Sequence, residues 1–152
     1  MHVTNTAPAA ITRTGGLNST PVQGFVSSTG SGKLWRNTNA TSVYLFPVRS
    51  SIPPARFRHA DIKPSSARPH TFAVRLVNTA PTTDGFNRAV REPTLGAVNA
   101  GWYQKINRVS GSSLAEFSLY ADDAQDAIAS WPLLKLCQWG QAAVSVALSG
   151  PR

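Results

Sequence analysis

The residues able to do chemistry are few. The chain holds three histidines, His2, His59 and His70, and one cysteine, Cys137. Cleavage of RNA by acid–base chemistry needs two histidines and a lysine around one phosphate, and His59 with His70 is the one pair that adjacent strands would bring near. Their strand parities set them at different depths, so both read as structural or solvated and no catalytic residue is assigned. The seven acids include no carboxylate pair arranged for proton transfer. Asp122, Asp123 and Asp126 read instead as the start of a helix. A single cysteine excludes an internal disulfide and a cysteine-based zinc site; Cys137, in an apolar run, reads as a small buried hydrophobe. Thr29-Gly30-Ser31-Gly32-Lys33-Leu34 glances at a phosphate loop, but Ser27 stands where the first glycine belongs and Leu34 where a hydroxyl would hold magnesium. It reads as a turn. Neither a metal nor a cofactor is expected, and the chain is not read as an enzyme.

What remains is recognition of a polyanion. Fifteen Lys and Arg face seven Asp and Glu in 152 residues, a formal charge of +8, although charged residues make up only 14% of the chain. Eight of the bases, against the single acid Asp61, lie between Lys33 and Arg75, so that segment carries +7 of the total. Charge concentrated on the middle strands favours a nucleic-acid partner over simple solubility. No apolar run is long enough to cross a membrane, and the first residues lack the basic start and apolar core of a signal peptide. The expectation is a single-domain intracellular protein with no membrane partner.

The elements that must place those charges are mostly strands. Residues 1–10 read as a flexible arm and 11–32 as an N-terminal hairpin turning at Gly15-Gly16. Residues 33–121 form the main sheet, whose strands include Lys33 to Asn37 and Thr41 to Phe46. Pro53-Pro54 marks a connector that cannot sit inside a sheet. Arg56 to Lys63 and His70 to Val77 both alternate, and the Pro64–Pro69 stretch between them is rich in turn formers, which predicts a central β-hairpin. Phe72, Val74 and Leu76 fall on one face with Ala60 and Ile62 on the corresponding face of the first strand; the other face is basic. Residues 79–101 read as a long loop. Trp102 to Val109 and Leu114 to Tyr120 read as strands, interrupted by Ser110-Gly111-Ser112-Ser113 as either a bulge or a second hairpin. From Asp122 the period changes to that of a helix, with Ala124, Ala127, Ile128, Trp131, Leu133 and Leu134 on one face and a kink at Pro132. Gln141 to Leu148 reads most simply as a second helix, although Val144-Ser145-Val146 also suits a strand. The fold class expected is α+β: an N-terminal hairpin, a five-stranded antiparallel sheet and two C-terminal helices over 122–149.

This order resembles the coat proteins of the single-stranded RNA bacteriophages of levivirus type. The resemblance is carried by Ser65-Ser66-Ala67 with the strand from Thr71 to Val77, by Trp102-Tyr103-Gln104-Lys105-Ile106-Asn107, and by Phe117-Ser118-Leu119-Tyr120-Ala121-Asp122-Asp123. It implies an intertwined homodimer whose helices cover the partner's sheet, because one layer of strands with two short helices leaves apolar surface bare. Trp131, Leu134, Leu136 and Trp139 would be buried there, or alternatively in the monomer's own core. It further implies an icosahedral shell, assembled in the cytoplasm of a bacterial host and forming the virion capsid. The sheet would face inward and package the single-stranded RNA genome.

On that inner face the resemblance and strand parity place His59, Lys63, Thr71, Arg75, Lys105 and Asn107. The cations would neutralise phosphate, and Asn107 would read a base or ribose. Many members also repress translation by gripping an RNA hairpin with an adenine pocket of small hydroxyl residues. This chain departs from that pattern at His59, Asp61 and Ala73, which favours general RNA packaging over that mode. The loop 79–101 would make contacts around the symmetry axes of the shell. The alternative is a non-assembling RNA-binding module using the same basic sheet.

Overall fold

A computed structural model describes residues 3–5, 25–28, 31–50, 52–126 and 145–149 of the chain. In chain order the strands are β1 (Val3–Asn5), β2 (Val26–Ser28), β3 (Leu34–Thr38), β4 (Tyr44–Phe46), β5 (Val48–Ser50), β6 (Arg56–Phe57), β7 (Ala60–Pro64), β8 (His70–Val77), β9 (Tyr103–Ser110), β10 (Ala115–Tyr120) and β11 (Ser145–Ser149). A four-residue helix, α1 (Asp123–Asp126), follows β10. Alternation in the sequence becomes alternation in burial: Leu34, Arg36 and Thr38 of β3, Tyr44 and Phe46 of β4, and Ala60, Ile62 and Pro64 of β7 all point inward.

Two sheets share one apolar layer. The first runs β3-β8-β9 and the second β4-β7-β10-β11. Leu34, Phe72, Val74 and Leu76 from the first meet Tyr44, Phe46, Ala60 and Ile62 from the second, with Ile106, Phe117 and Leu119 packed around them. Phe72 and Phe117 face each other across the layer edge to face, ring centres 6.3 Å apart. A third sheet, β1-β2-β5-β6, adds Val26 and Val48 to the same cluster.

The order of strands in the two facing sheets is the same, and the connections explain why. The corners 39–43, 65–69 and 111–114 carry β3 into β4, β7 into β8 and β9 into β10, each time from one sheet to the other. Three arches therefore stack side by side, and antiparallel pairing occurs between arches: β3 with β8, β8 with β9, β4 with β7, β7 with β10. Neighbouring corners are tied together by Ser66 and Ser113, whose hydroxyls lie 2.6 Å apart, and by the Ser65 N–H donating to the Leu114 carbonyl at 2.9 Å.

Three expectations are corrected by this architecture. The α+β fold with a five-stranded antiparallel sheet and two C-terminal helices gives way to three small, largely β sheets, and β11 pairs in parallel with β10 where a second helix was expected. Among the described residues α1 is the sole α-helix; Trp131, Leu134, Leu136 and Trp139 lie outside them. The central hairpin is an arch, because β7 and β8 belong to different sheets. The interruption at Ser110 to Ser113 is not a hairpin but another corner, and the β8–β9 register shifts just before it, with Thr71 opposite Ser110 and Phe72 opposite Arg108. The physical reason is common to all: turning each pair of strands face to face lets the chain bury Ile62 against its own Phe72 and Val74 layer, so no borrowed helix is needed to cover these residues.

Opposite the corners, a buried charge cluster closes the layer. Arg58, 1% exposed, donates from Nε to Asp126 Oδ2 at 2.8 Å and from Nη2 to Oδ1 at 2.9 Å. Trp102 Nε1 donates to Asp126 Oδ1 at 2.7 Å, and the Asp122 N–H donates to Oδ2. Burial alone would push the Asp126 carboxyl up, but the hydrogen bonds from Arg58, Asp122 and Trp102 and the Arg58 charge outweigh it, and the carboxyl is held below its ordinary value.

The Asp126 contribution is thus complete above the unfolded-chain value of about 3.9 and is lost as pH falls through the lowered one. Asp126→Asn should cost about 3–5 kcal/mol in urea unfolding, because Arg58 is left buried without a counter-charge. The variant should also lose part of the wild-type fall in stability below about pH 4. At the corners, Gly111 has φ +84°, and a Cβ there would collide with the His70 ring. Gly111→Ala should cost about 1–2 kcal/mol for the left-handed backbone and about 1–3 kcal/mol more for the clash, read as a lowered urea midpoint.

Candidate nucleic-acid interface

With the even-numbered residues of β3 and β8 committed to the core, the odd-numbered ones face outward. Pairing aligns them in rows: Trp35 opposite Ala73 opposite Asn107, and Asn37 opposite Thr71. Arg75 is opposite Lys105, and the Leu34 to Val74 pairing places Lys33 beside Arg75. Lys33, Arg75 and Lys105 therefore form a transverse row of cations, with strands spaced about 4.8 Å apart. Together with Ser31 and Trp35 they line a cleft of about 300 Å³. Ala73, between its two larger neighbours, is only 1% exposed.

Each lysine of the row has found a partner. Lys33 Nζ donates to Asn107 Oδ1 at 2.6 Å. Lys105 Nζ sits 2.6 Å from Asp84 Oδ2. Thr71 Oγ1 donates to Asn37 Oδ1 at 2.9 Å. By contrast, the Arg75 Nε and Trp35 Nε1 donors are enclosed with no acceptor among the described residues. Enclosed donors without acceptors cost about 1–3 kcal/mol each.

The field in the cleft is positive and is felt by its own members. Burial lowers the Lys33 pKa below its ordinary value of 10.5, and the Lys105 and Arg75 charges lower it further. Arg75 is likewise lowered by burial, with the Asp84 carboxylate partly opposing the shift. The guanidinium nonetheless stays charged at neutral pH.

Arg75, Lys105, Asn107 and Thr71 thus share one surface. His59 and Lys63 do not share it. Lys63 is on the outer face of the other sheet, 3.3 Å from Glu116, with both side chains half exposed or more. His59 precedes β7 and stacks on Tyr120 at 5.0 Å and near Phe57 at 5.4 Å. The two histidines are not brought together: His70, 2% exposed, packs at the corner end beside Gly111, while His59 lies at the far end of β7. Lys63 and Arg75 both face outward, as alternation requires, but from different sheets.

No family model, curated protein or solved structure matches the chain. The character of this surface therefore rests on its geometry.

Several members of the surface were not singled out in the sequence, among them Lys33, Trp35 and Asp84. The alternation Lys33-Leu34-Trp35-Arg36 would have put Lys33 and Trp35 on one face of the short strand read there, but nothing local says that β3 pairs with β8. Asp84 is a loop residue brought in by a 3₁₀ turn. Other cations of the middle segment are spent on the fold. Arg36, 5% exposed, donates from Nη1 to the Leu45 carbonyl at 2.7 Å, joining β3 to β4 across the layer.

Crowding of like charges has a measurable consequence. Lys33→Met keeps the aliphatic stem and removes the charge, and should raise the urea midpoint at pH 7. For a lysine whose folded pKa is depressed, the penalty is full below that value and vanishes above the unfolded value of about 10.4. The advantage of the variant should therefore fade as pH rises through that window.

Proposed function

We propose that the chain binds single-stranded RNA on the outer face of the β3-β8-β9 sheet and packages it as a coat protein. The observation that carries this reading is the row Lys33, Arg75 and Lys105 set against the Trp35 indole in a single cleft. Cations on such a surface neutralise phosphate and release counterions, while an indole gives an unpaired base a platform to stack on. An open sheet with an aromatic and short polar groups suits splayed single strands better than a duplex, whose deep groove side chains cannot enter. Asn107 and Thr71 are the hydrogen-bonding groups placed to meet a base edge or a ribose hydroxyl.

Packaging is supported by sidedness. The cleft face carries the cationic row, whereas the outer face of the opposite sheet pairs Lys63 with Glu116 and places Asp61 opposite Leu45 and Ser118. Copies arranged in a shell with the cleft face inward would present cations to the RNA and a mixed surface outside. A dimer held by exchanged helices is not part of this proposal.

Fluorescence anisotropy with labelled oligouridylate tests the binding. The association constant should fall linearly on a log–log plot against salt, with a slope near −0.7 per phosphate neutralised. Arg75→Ala should weaken binding and make that slope shallower by about one phosphate's share. Trp35→Ala should lose about 1–3 kcal/mol per stacked base. If both variants stay folded and bind as the wild type does, the interface is misplaced. Light scattering of the purified protein then separates the two forms of the reading: particles of megadalton size support the coat, and a small RNA-binding species supports a non-assembling module.

A further inference from the structure

Resting on the RNA-binding reading, we infer that Asp84 is a built-in competitor for the phosphate site, held over Lys105 until RNA displaces it. The carboxylate places Oδ2 2.6 Å from Lys105 Nζ, the distance of a strong charge-assisted contact. Its charge also acts on Arg75. A carboxylate presents the same two things as a phosphodiester, negative charge and acceptor oxygens, to the same cations.

The turn that carries Asp84 is anchored at its base and open at its tip. It is a single 3₁₀ turn, Pro81–Asp84, whose first residue is buried. Phe86 beyond it packs edge to face on Tyr103 with ring centres 5.9 Å apart. Thr82, Thr83, Asp84 and Gly85 between these anchors are exposed. Gly85 closes the turn at φ +83°, and nothing lies within 4 Å of where its Cβ would be. The ion pair is itself partly exposed, 30% at Lys105 and 34% at Asp84. Partly exposed pairs of this kind contribute little to folding, so a polyanion carrying several phosphates can replace the carboxylate at small cost. Asp84 thereby lowers the affinity of any anion that needs Lys105, by a factor set by the strength of the ion pair.

Binding of decauridylate by the full chain, measured by anisotropy, tests the inference. Asp84→Asn should tighten binding by up to about fivefold, the upper end for relief of one competing ion pair at a surface site. Asp84→Glu should stay near wild type. In a Lys105→Gln background the gain from Asp84→Asn should shrink to what the Asp84 charge does at Arg75. Unchanged or weaker decauridylate binding by a folded Asp84→Asn, while Arg75→Ala still weakens it, would overturn the competitor role and leave the RNA surface standing. Absence of binding by the wild type, Asp84→Asn and Asp84→Glu alike would overturn both.

Discussion

Burial of one apolar layer between two facing sheets is the constraint on which the rest depends. A lone sheet with one greasy side needs cover, and the cover can come from helices, from a second molecule or from the chain itself. Here the chain covers itself by folding each alternating pair of strands into an arch, so that Ile62 and Phe117 lie opposite Phe72 and Val74. Each fully buried side chain of this size contributes about 1.5–3 kcal/mol. Once that layer is closed, the outward residues of β3, β8 and β9 are placed without further choice: their parity and register follow from which of their neighbours are inside.

The sequence made parts of this legible and concealed others for a specific reason. Alternation in β3, β7 and β8 announced both the strands and their buried faces, and the turn formers at 65–69 and 110–113 announced the breaks. An arch and a hairpin, however, are written in the same letters: an alternating run, a short polar link, another alternating run. They differ in whether the second strand pairs beside the first or turns over to face it, and that is decided by the availability of distant partners such as β10 for β7. Arg75, Lys105 and Asn107 were legible as outward residues because β8 and β9 do share a sheet. His59 and Lys63 lie away from that surface because β7 does not share the sheet. Charge counting overstated the patch as well, since Arg36 and Arg58 spend their guanidinium groups inside the protein.

Around the cleft, folding and recognition pull in opposite directions. Lys33 feels the charge of two other cations, and Arg75 keeps an enclosed donor without an acceptor among the described residues. Neither arrangement is what stability alone would select. Asn107 and Asp84 relieve part of the strain by engaging the two lysines. The surface is therefore held under electrostatic tension, with its cations only partly compensated by neighbouring side chains.

The stacked arches also bear on how the molecule is made. Because β7 takes β4 on one side and β10 on the other, its second edge stays bare on the ribosome until a much later segment has emerged. Ladders between remote segments form slowly, since long loops must close before pairing returns anything, and a bare strand edge in the meantime invites pairing with another nascent chain. Lys63, near the end of β7, is the kind of charged edge residue that discourages such mispairing, so this one side chain would guard the young chain before it ever meets Glu116.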